Sequence, residues 1–119
     1  MSSGAEKRQH HRFMARLDIR VVSGERATPG DGLTTLDIGV GGARCISASR
    51  FEGGTRLQVS VALVGGDLAE PAQVSAAAAV LRCDVRPEPH YGLPYEVVLQ
   101  FLRLDPRDRR LLQSYLNSL

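Results

Sequence analysis

Apolar and polar residues alternate along much of this chain, which is the pattern of strands that bury one face. The clearest example runs from Leu57 to Leu63, where leucine or valine occupies every second position. The four alanines at 76–79 favour a helix by propensity, but the β-branched and apolar residues that flank them favour a strand. We predict strands over residues 15–22, 33–38, 43–46, 57–63, 74–85 and 95–102.

Glycine and proline separate these strands, because both residues are frequent in turns. In the second strand we expect Leu36 and Ile38 to share one face. The segment with Pro87, Pro89, Gly92 and Pro94 is expected to be a loop. Connections are therefore predicted at residues 23–32, 51–55, 65–67 and 87–94.

The chain ends in a predicted amphipathic helix over residues 105–119. Asp105 is a suitable N-cap, Pro106 suits the first helical position, and Asp108 lies in the first turn, where the helix dipole favours a negative charge. Arginines 107, 109 and 110 should face water. One apolar stripe is formed by Leu111, Leu112, Tyr115, Leu116 and Leu119.

Six strands followed by one helix predict a mainly β fold, a six-stranded antiparallel, Greek-key-like barrel with the helix packed on it. The 119 residues suit a single domain with a core of its own. No apolar run approaches the length of a membrane span, and residues 1–10 do not resemble a secretory signal. Cys45 and Cys83 are expected to be reduced, buried thiols, so we expect a cytoplasmic protein.

The formal net charge of +2 is too small to indicate general nucleic-acid binding. The charge is unevenly distributed, however, because Lys7, Arg8, Arg12 and Arg16 follow one another closely with only Glu6 against them. An anion is a natural partner for this segment. Taken by itself, the same composition also fits a solvated basic tail.

Two groups of residues have complementary chemistry. Arg8 and Arg12 form an RxxxR pair just before the first strand, and Asp37 begins the run DIGVGG at the end of the second. An arginine fork bonds to the O6 and N7 of guanine or to a phosphate, and residues four apart in an extended chain point to one side, about 13 Å apart. A carboxylate accepts hydrogen bonds from the opposite edge of guanine. Together these groups suit a guanine nucleotide.

At these positions the chain resembles the PilZ domain family, which carries RxxxR in an N-terminal switch segment and [D/N]xSxxG between the second and third barrel strands. The resemblance runs from Lys7 to the end, and the stretch YEVVLQFLRLDPRDRRLLQSYL is similar to the last strand and helix of the family. It implies the same barrel and a bacterial, non-enzymatic receptor for cyclic di-GMP, with no cofactor.

By resemblance, Arg8 and Arg12 hold guanine and phosphate, Asp37 recognises the guanine edge, and Gly42 is the last glycine of the second motif. Gly39 stands where the family usually has serine, so a hydroxyl that bonds to the ligand is missing. One hydrogen bond contributes about 0.5–1.5 kcal/mol, or up to about 3 kcal/mol to a charged group, so binding is expected to be weaker but retained.

Other residues near the motifs are candidates for secondary contacts. Lys7 lies just before RxxxR. By resemblance, the residue at this position influences whether one or two ligand molecules bind, and the stoichiometry stays open. Arg44 and Arg82, on predicted strands, are either phosphate contacts or exposed barrel residues. The secondary ligand contacts that we assign are Lys7, Gln9, Gly41 and Arg44.

The predicted organisation is a flexible N-terminus at 1–6 and a single domain at 7–119. Within the domain, 7–14 is the switch segment, 15–102 the barrel and 105–119 the helix. Residues 7–13 are expected to be flexible without ligand and to order on binding, which changes the surface offered to an unidentified effector protein.

Two alternatives to this receptor remain. One is a degenerate barrel that only mediates protein–protein interaction. The other is a barrel that binds single-stranded nucleic acid, but three Phe, three Tyr and no Trp offer few stacking platforms. No nucleophile elbow, phosphate-binding P-loop or metal-ligand spacing occurs in the sequence, so we expect neither an enzyme nor a metal site.

Overall fold

Six antiparallel strands close into a barrel, and one helix follows them. The computed structural model describes residues 11–119, apart from the side chain of His90. The order of strands around the barrel is β1-β2-β3-β6-β5-β4, and β4 pairs with β1 to close it. The elements are β1 Asp18–Gly24, β2 Gly32–Gly39, β3 Gly42–Ser47, β4 Arg56–Leu63, β5 Ala72–His90, β6 Leu93–Leu104 and α1 Pro106–Asn117.

The barrel interior is filled by the apolar residues that the alternating pattern predicts. Every strand contributes, with side chains such as Ile19, Val61 and Leu99 fully buried. The 76–79 alanines lie in β5, so the strand interpretation is confirmed there. Within the described range, no helix combines the length and the apolar character that a bilayer span requires.

The predicted second strand differs from the structure in which residues it buries. Thr35 pairs with Cys45 and Asp37 pairs with Arg44, so Leu36 is an extra residue in a β-bulge. Because the bulge shifts the alternation by one position, Leu36 is only half-buried and does not share the inward face of Ile38. The prediction that these two residues lie on one face is therefore wrong.

The expected loop at 87–94 is also replaced by strand. β5 and β6 form a long hairpin whose turn contains Tyr91 and Gly92, both with positive φ. The pairing is interrupted between Val85 and His90, where Pro87 and Pro89 lie. Proline has no N–H for the ladder, so it is tolerated in a strand at such an irregularity.

Helix α1 packs on the barrel through Leu112, Tyr115 and Leu116, which are buried. The Tyr115 hydroxyl donates to the carbonyl oxygen of Val64 at 2.7 Å. Asp105 occupies the N-cap position without a side-chain capping bond, contrary to expectation. Leu119 is 60% exposed and does not belong to the apolar stripe, because the helix ends two residues earlier at Asn117.

The helix offers a matched test of this packing. Leu116→Ala should lower the free energy of unfolding by about 2–5 kcal/mol, because it removes a fully buried side chain and leaves a cavity. Leu119→Ala makes the same chemical change at an exposed position and should alter stability by less than about 0.5 kcal/mol. Urea unfolding followed by circular dichroism measures both values. Equal effects would mean that the helix is not docked as described.

Candidate functional site

The β-bulge in β2 determines where Asp37 points. With Leu36 as the extra residue, Asp37 lies opposite Arg44 while Ile38 pairs with the core residue Ala43. The Asp37 carboxylate is therefore on the outer side of the barrel wall, yet the side chain is only 11% exposed because neighbouring groups cover it. A nearly buried carboxylate is stable as an anion only when it is paired with cations or hydrogen-bond donors.

Residues 11–17 lie along β2 and cover Asp37. Phe13 and Ile38 exchange two backbone hydrogen bonds, of 2.8 and 2.9 Å. The buried Thr35 hydroxyl donates to the Ala15 carbonyl oxygen at 2.5 Å and accepts from the Leu17 N–H at 2.8 Å. Residues 15–17, predicted as the start of the first strand, are therefore attached to β2, and β1 begins at Asp18. These bonds fix the position of Arg12.

Two arginines share the Asp37 carboxylate. Arg12 Nη1 lies 3.0 Å from Oδ1, and Arg44 Nε lies 3.0 Å from Oδ2. Arg12 and Asp37 belong to the two motifs singled out in the sequence and are separated by 25 residues along the chain. The structure thus brings one member of each motif into direct contact, together with the secondary candidate Arg44.

The ion pairs continue from β3 onto β6 and β5. Glu96 of β6 lies 3.9 Å from Arg44 Nη1 and is also bonded by Arg86 Nη1 of β5. The result is a row of alternating charges across the barrel wall, which we call the charge row: Arg12, Asp37, Arg44, Glu96 and Arg86. Sequence reasoning missed Arg86 and Glu96, because only the register of β3, β6 and β5 places them beside the motif residues.

Lys7, Arg8 and Gln9 lie outside the described residues, so their predicted contacts remain predictions. The same holds for the expected flexibility of residues 7–10. Residues 11–13 of the predicted switch segment are in contact with β2 here, through the Phe13–Ile38 bonds and the Arg12–Asp37 ion pair. Arg82, the other arginine considered from the sequence, pairs with Asp84 at 3.4 Å on an exposed part of β5.

Within residues 11–119, the three guanidinium groups of the charge row share two carboxylates, so this arrangement can bind an anion. Among residues 11–119 no cluster of three or more His, Cys, Asp or Glu side chains has metal-binding geometry.

Comparison with known protein families decides the classification. The model of the PilZ domain matches residues 6–118. The chain belongs to the PilZ domain family.

Two solved structures share the fold of this PilZ domain. The PilZ domain with c-di-GMP of YcgR from Escherichia coli has a TM-score of 0.72 and 16% identity, over 95% of this chain and 91% of that one. The Bacillus subtilis inhibitor of motility MotI/DgrA has a TM-score of 0.74 and 21% identity, over 93% of this chain. This chain spans 50% of the MotI/DgrA chain. No curated protein sequence matches it.

Gly39 and Gly42 are both places of close backbone approach. A Cβ at Gly42 would lie well within 3.0 Å of the Leu99 carbonyl oxygen, and a Cβ at Gly39 would lie equally close to the His11 carbonyl oxygen. At position 39, where serine is usual in PilZ domains, the backbone of residues 11–13 occupies the space of a side chain. Gly41 accepts a hydrogen bond from the Phe101 N–H at 2.9 Å, so its observed contact is with the barrel.

Cys45 and Cys83 are free thiols, as predicted, but only Cys45 is fully buried. Burial raises the pKa of the Cys45 thiol to about 12, the nearby Asp37 carboxylate adds to the rise, and Arg12 opposes it. A thiol in this environment stays protonated at neutral pH, so it is a poor nucleophile.

The close contact at Gly39 predicts that a single methyl group displaces the N-terminal segment. Gly39→Ala should push residues 11–13 away from β2, because the obstructing atom belongs to the backbone of His11 and not to a flexible side chain. Amide hydrogen exchange of Phe13 should become faster, since its bond to Ile38 is lost.

Gly53→Ala is the matched control, because its Cβ would meet the Leu81 carbonyl oxygen at an ordinary 3.5 Å. In Gly53→Ala the amide hydrogen exchange rate of Phe13 should equal that of the wild type. Unchanged exchange in Gly39→Ala would show that the segment does not lie on Gly39 in solution.

The raised pKa predicts selective alkylation. At pH 8 iodoacetamide should modify the half-buried Cys83 faster than Cys45, because the Cys45 thiol is protonated and inaccessible. Above about pH 8.5 the Cys45 thiol ionises in unfolded chains, whereas the buried thiol of the native state stays protonated. The native state is therefore destabilised as the pH rises, and Cys45 should react increasingly through unfolding. Mass spectrometry of tryptic peptides reports both rates. Rapid labelling of Cys45 at pH 8 in the folded protein would contradict this description.

Proposed function

We propose that this PilZ domain is a receptor for cyclic di-GMP, which it binds at Arg8, Arg12 and Asp37. The observation that carries the proposal is the contact of Arg12 with Asp37 at 3.0 Å, which joins the two motifs at one place on the barrel wall. The similarity in fold to the YcgR PilZ domain with c-di-GMP supports the choice of ligand.

The chemistry of the site suits the two parts of a guanine nucleotide. Arginine forks donate to the O6 and N7 of guanine or to phosphate oxygens, and a carboxylate accepts from N1–H and N2–H₂. Without ligand, Arg12 and Asp37 satisfy each other. On binding, both exchange this partner for one on the ligand, while Arg44 keeps the second carboxylate oxygen paired. Residues 7–10, with Arg8, move onto the barrel at the same time.

Gly39 affects the strength of this binding. The missing hydroxyl removes one ligand hydrogen bond, a loss of about 0.5–1.5 kcal/mol or several-fold in affinity, and more when the acceptor is charged. The ligand must also compete with the ion pair that already occupies Arg12. Both effects weaken the complex, and neither removes the groups that recognise guanine.

In this proposal the domain is non-enzymatic and acts in the bacterial cytoplasm. Residues 1–6 form a flexible start, 7–14 the switch segment, 15–102 the barrel and 105–119 the helix. Ligand binding changes the surface around the switch segment, and an effector protein that remains to be identified reads this change. Binding of Lys7 to a phosphate would favour a second ligand molecule, and the contribution of Gln9 and Gly41 is secondary.

A second candidate function is protein–protein interaction without nucleotide. It is favoured by one observation, the His11 backbone lying against Gly39 where the family has a serine hydroxyl. In this case residues 11–13 would be a permanent part of the barrel surface. The retained Arg8, Arg12 and Asp37 argue against it, and ligand titration separates the two candidates.

Isothermal titration calorimetry with cyclic di-GMP tests the receptor proposal. We expect micromolar or tighter binding by the wild type and a loss of at least about tenfold in affinity for Arg8→Ala, Arg12→Ala and Asp37→Ala, because each removes a charged hydrogen-bonding partner of the ligand. The molar ratio gives the number of ligand molecules per domain.

Arg110→Ala is the control variant, since it removes an exposed arginine from α1. Its affinity should equal that of the wild type, and 5′-GMP should bind more weakly than the cyclic dinucleotide. No heat and no thermal shift at saturating cyclic di-GMP would refute the proposal and favour the interaction module.

A further inference from the structure

A cavity of about 340 Å³ is lined in part by Arg44, which pairs with Asp37. Its walls come from the N-terminal segment, β2, β3 and β5, and its volume falls within the range of small-molecule sites. Neither of the sequence motifs supplies a wall residue. The cavity is lined by Met14, Ala15, Arg16, Leu36, Arg44 and Arg86.

Among the described residues, the charge row beside the cavity has an excess of positive charge. Arg44 and Arg86 line the cavity together with Arg16. The charge row sets three guanidinium groups, those of Arg12, Arg44 and Arg86, against two carboxylates, and each carboxylate is shared between two arginines. Such an excess around an open cavity attracts an anion, and arginine forks favour phosphate oxygens in particular.

Arg86 carries an unmet hydrogen-bonding group. Its Nη1 bonds to Glu96, but its Nε is buried and has no acceptor among the residues that the structure describes. Buried donors without an acceptor are rare in folded proteins, and they commonly indicate an absent water or ligand. Because Arg86 also lines the cavity, a residue of the cavity wall has a donor that lacks an acceptor.

The remaining walls suit a planar base. Leu36 and Met14 provide apolar surface, and the guanidinium of Arg16 lies 4.2 Å from the ring centre of Tyr91. Tyr91 is at the turn between β5 and β6, so this contact joins the N-terminal segment to the hairpin. Arg16 also continues the spacing of Arg8 and Arg12, since each follows the previous one by four residues.

We infer that this cavity is a second subsite, which binds a phosphate-bearing purine through Arg16 and Arg86, with Arg44 between the two subsites. The inference rests on the proposed function, because the purine it takes is the half of the cyclic dinucleotide not held by Arg12 and Asp37. Arg16 and Arg86 are then ligand-binding residues in addition to those of the two motifs.

Three matched variants test the subsite: Arg16→Gln, Arg86→Gln and Arg82→Gln. Glutamine removes the charge but can still donate a hydrogen bond, so at position 86 it keeps a partner for Glu96. Arg82 is on the same strand as Arg86, yet it pairs with Asp84, is 63% exposed and does not line the cavity. Thermal unfolding verifies that each variant remains folded.

Calorimetry should show cyclic di-GMP binding that is about tenfold or more weaker in Arg16→Gln and Arg86→Gln, and unchanged in Arg82→Gln. In NMR spectra the backbone amide of Leu36 should shift on titration of the wild type with cyclic di-GMP. Wild-type affinity in both the Arg16 and the Arg86 variant would overturn the subsite and leave the receptor proposal standing.

Absence of cyclic di-GMP binding by the wild type would instead refute the receptor proposal. The subsite is then tested with 5′-GMP and the Leu36 amide as reporter. A shift in the wild type and in Arg82→Gln that is lost in Arg86→Gln would support the cavity as a purine phosphate site. No shift with either nucleotide would overturn both inferences.

Discussion

The face of this PilZ domain that carries the charge row depends on one constraint, the need to keep the nearly buried Asp37 carboxylate paired. A charge at 8% exposure is costly unless cations or donors compensate it. Here the compensation comes from Arg12 of the N-terminal segment and Arg44 of β3, both at 3.0 Å. Pairing Asp37 therefore also holds the N-terminal segment against the barrel. In the proposed function, a ligand that exchanges the Arg12–Asp37 pair for its own contacts would also release a contact that holds the segment, so ligand binding and segment position would be coupled by the same interaction.

The glycine at position 39 is part of the same arrangement. A side chain there would collide with the His11 backbone, so the segment can lie this close to β2 only because the residue is glycine. Glycine at the position where the second motif usually has serine is thus associated with a specific packing of residues 11–13. The Thr35 hydroxyl acts in the same direction, since it bonds to both Ala15 and Leu17. Three contacts along β2, at Thr35, Asp37 and Ile38, hold the segment in place.

Much of the fold could be predicted from the sequence, because the alternation of apolar residues follows directly from the burial of one strand face. The bulge at Leu36 could not, since a bulge inserts one residue without a clear sign in the pattern. It shifts the alternation of β2, so Leu33 and Ile38 face the core while Leu36 does not. The length of the β5–β6 hairpin could not be predicted, because its prolines indicate a loop. In the structure these prolines lie at an interruption of the hydrogen-bond ladder. Arg12 and Asp37 were identifiable from motif spacing. Glu96 and Arg86 were not, because their proximity depends on the register of three strands.

The charge row affects both the affinity of this face for anions and its selectivity among them. Each carboxylate is shared by two arginines, so the charged groups are already paired before a ligand binds, which we call pre-pairing. The affinity for a ligand therefore depends on the difference between the free energy of its contacts and that of the ion pairs that they replace. A simple anion such as chloride that takes Arg12 away from Asp37 leaves the carboxylate with Arg44 alone, so one oxygen of a nearly buried carboxylate loses its partner. A guanine that carries a phosphate supplies acceptors for the arginine and donors for Asp37 together. In the proposed function, pre-pairing would therefore lower the affinity for every anion, but least for a ligand that satisfies both charges, and so it would favour the nucleotide over the small anions that are abundant in a cell.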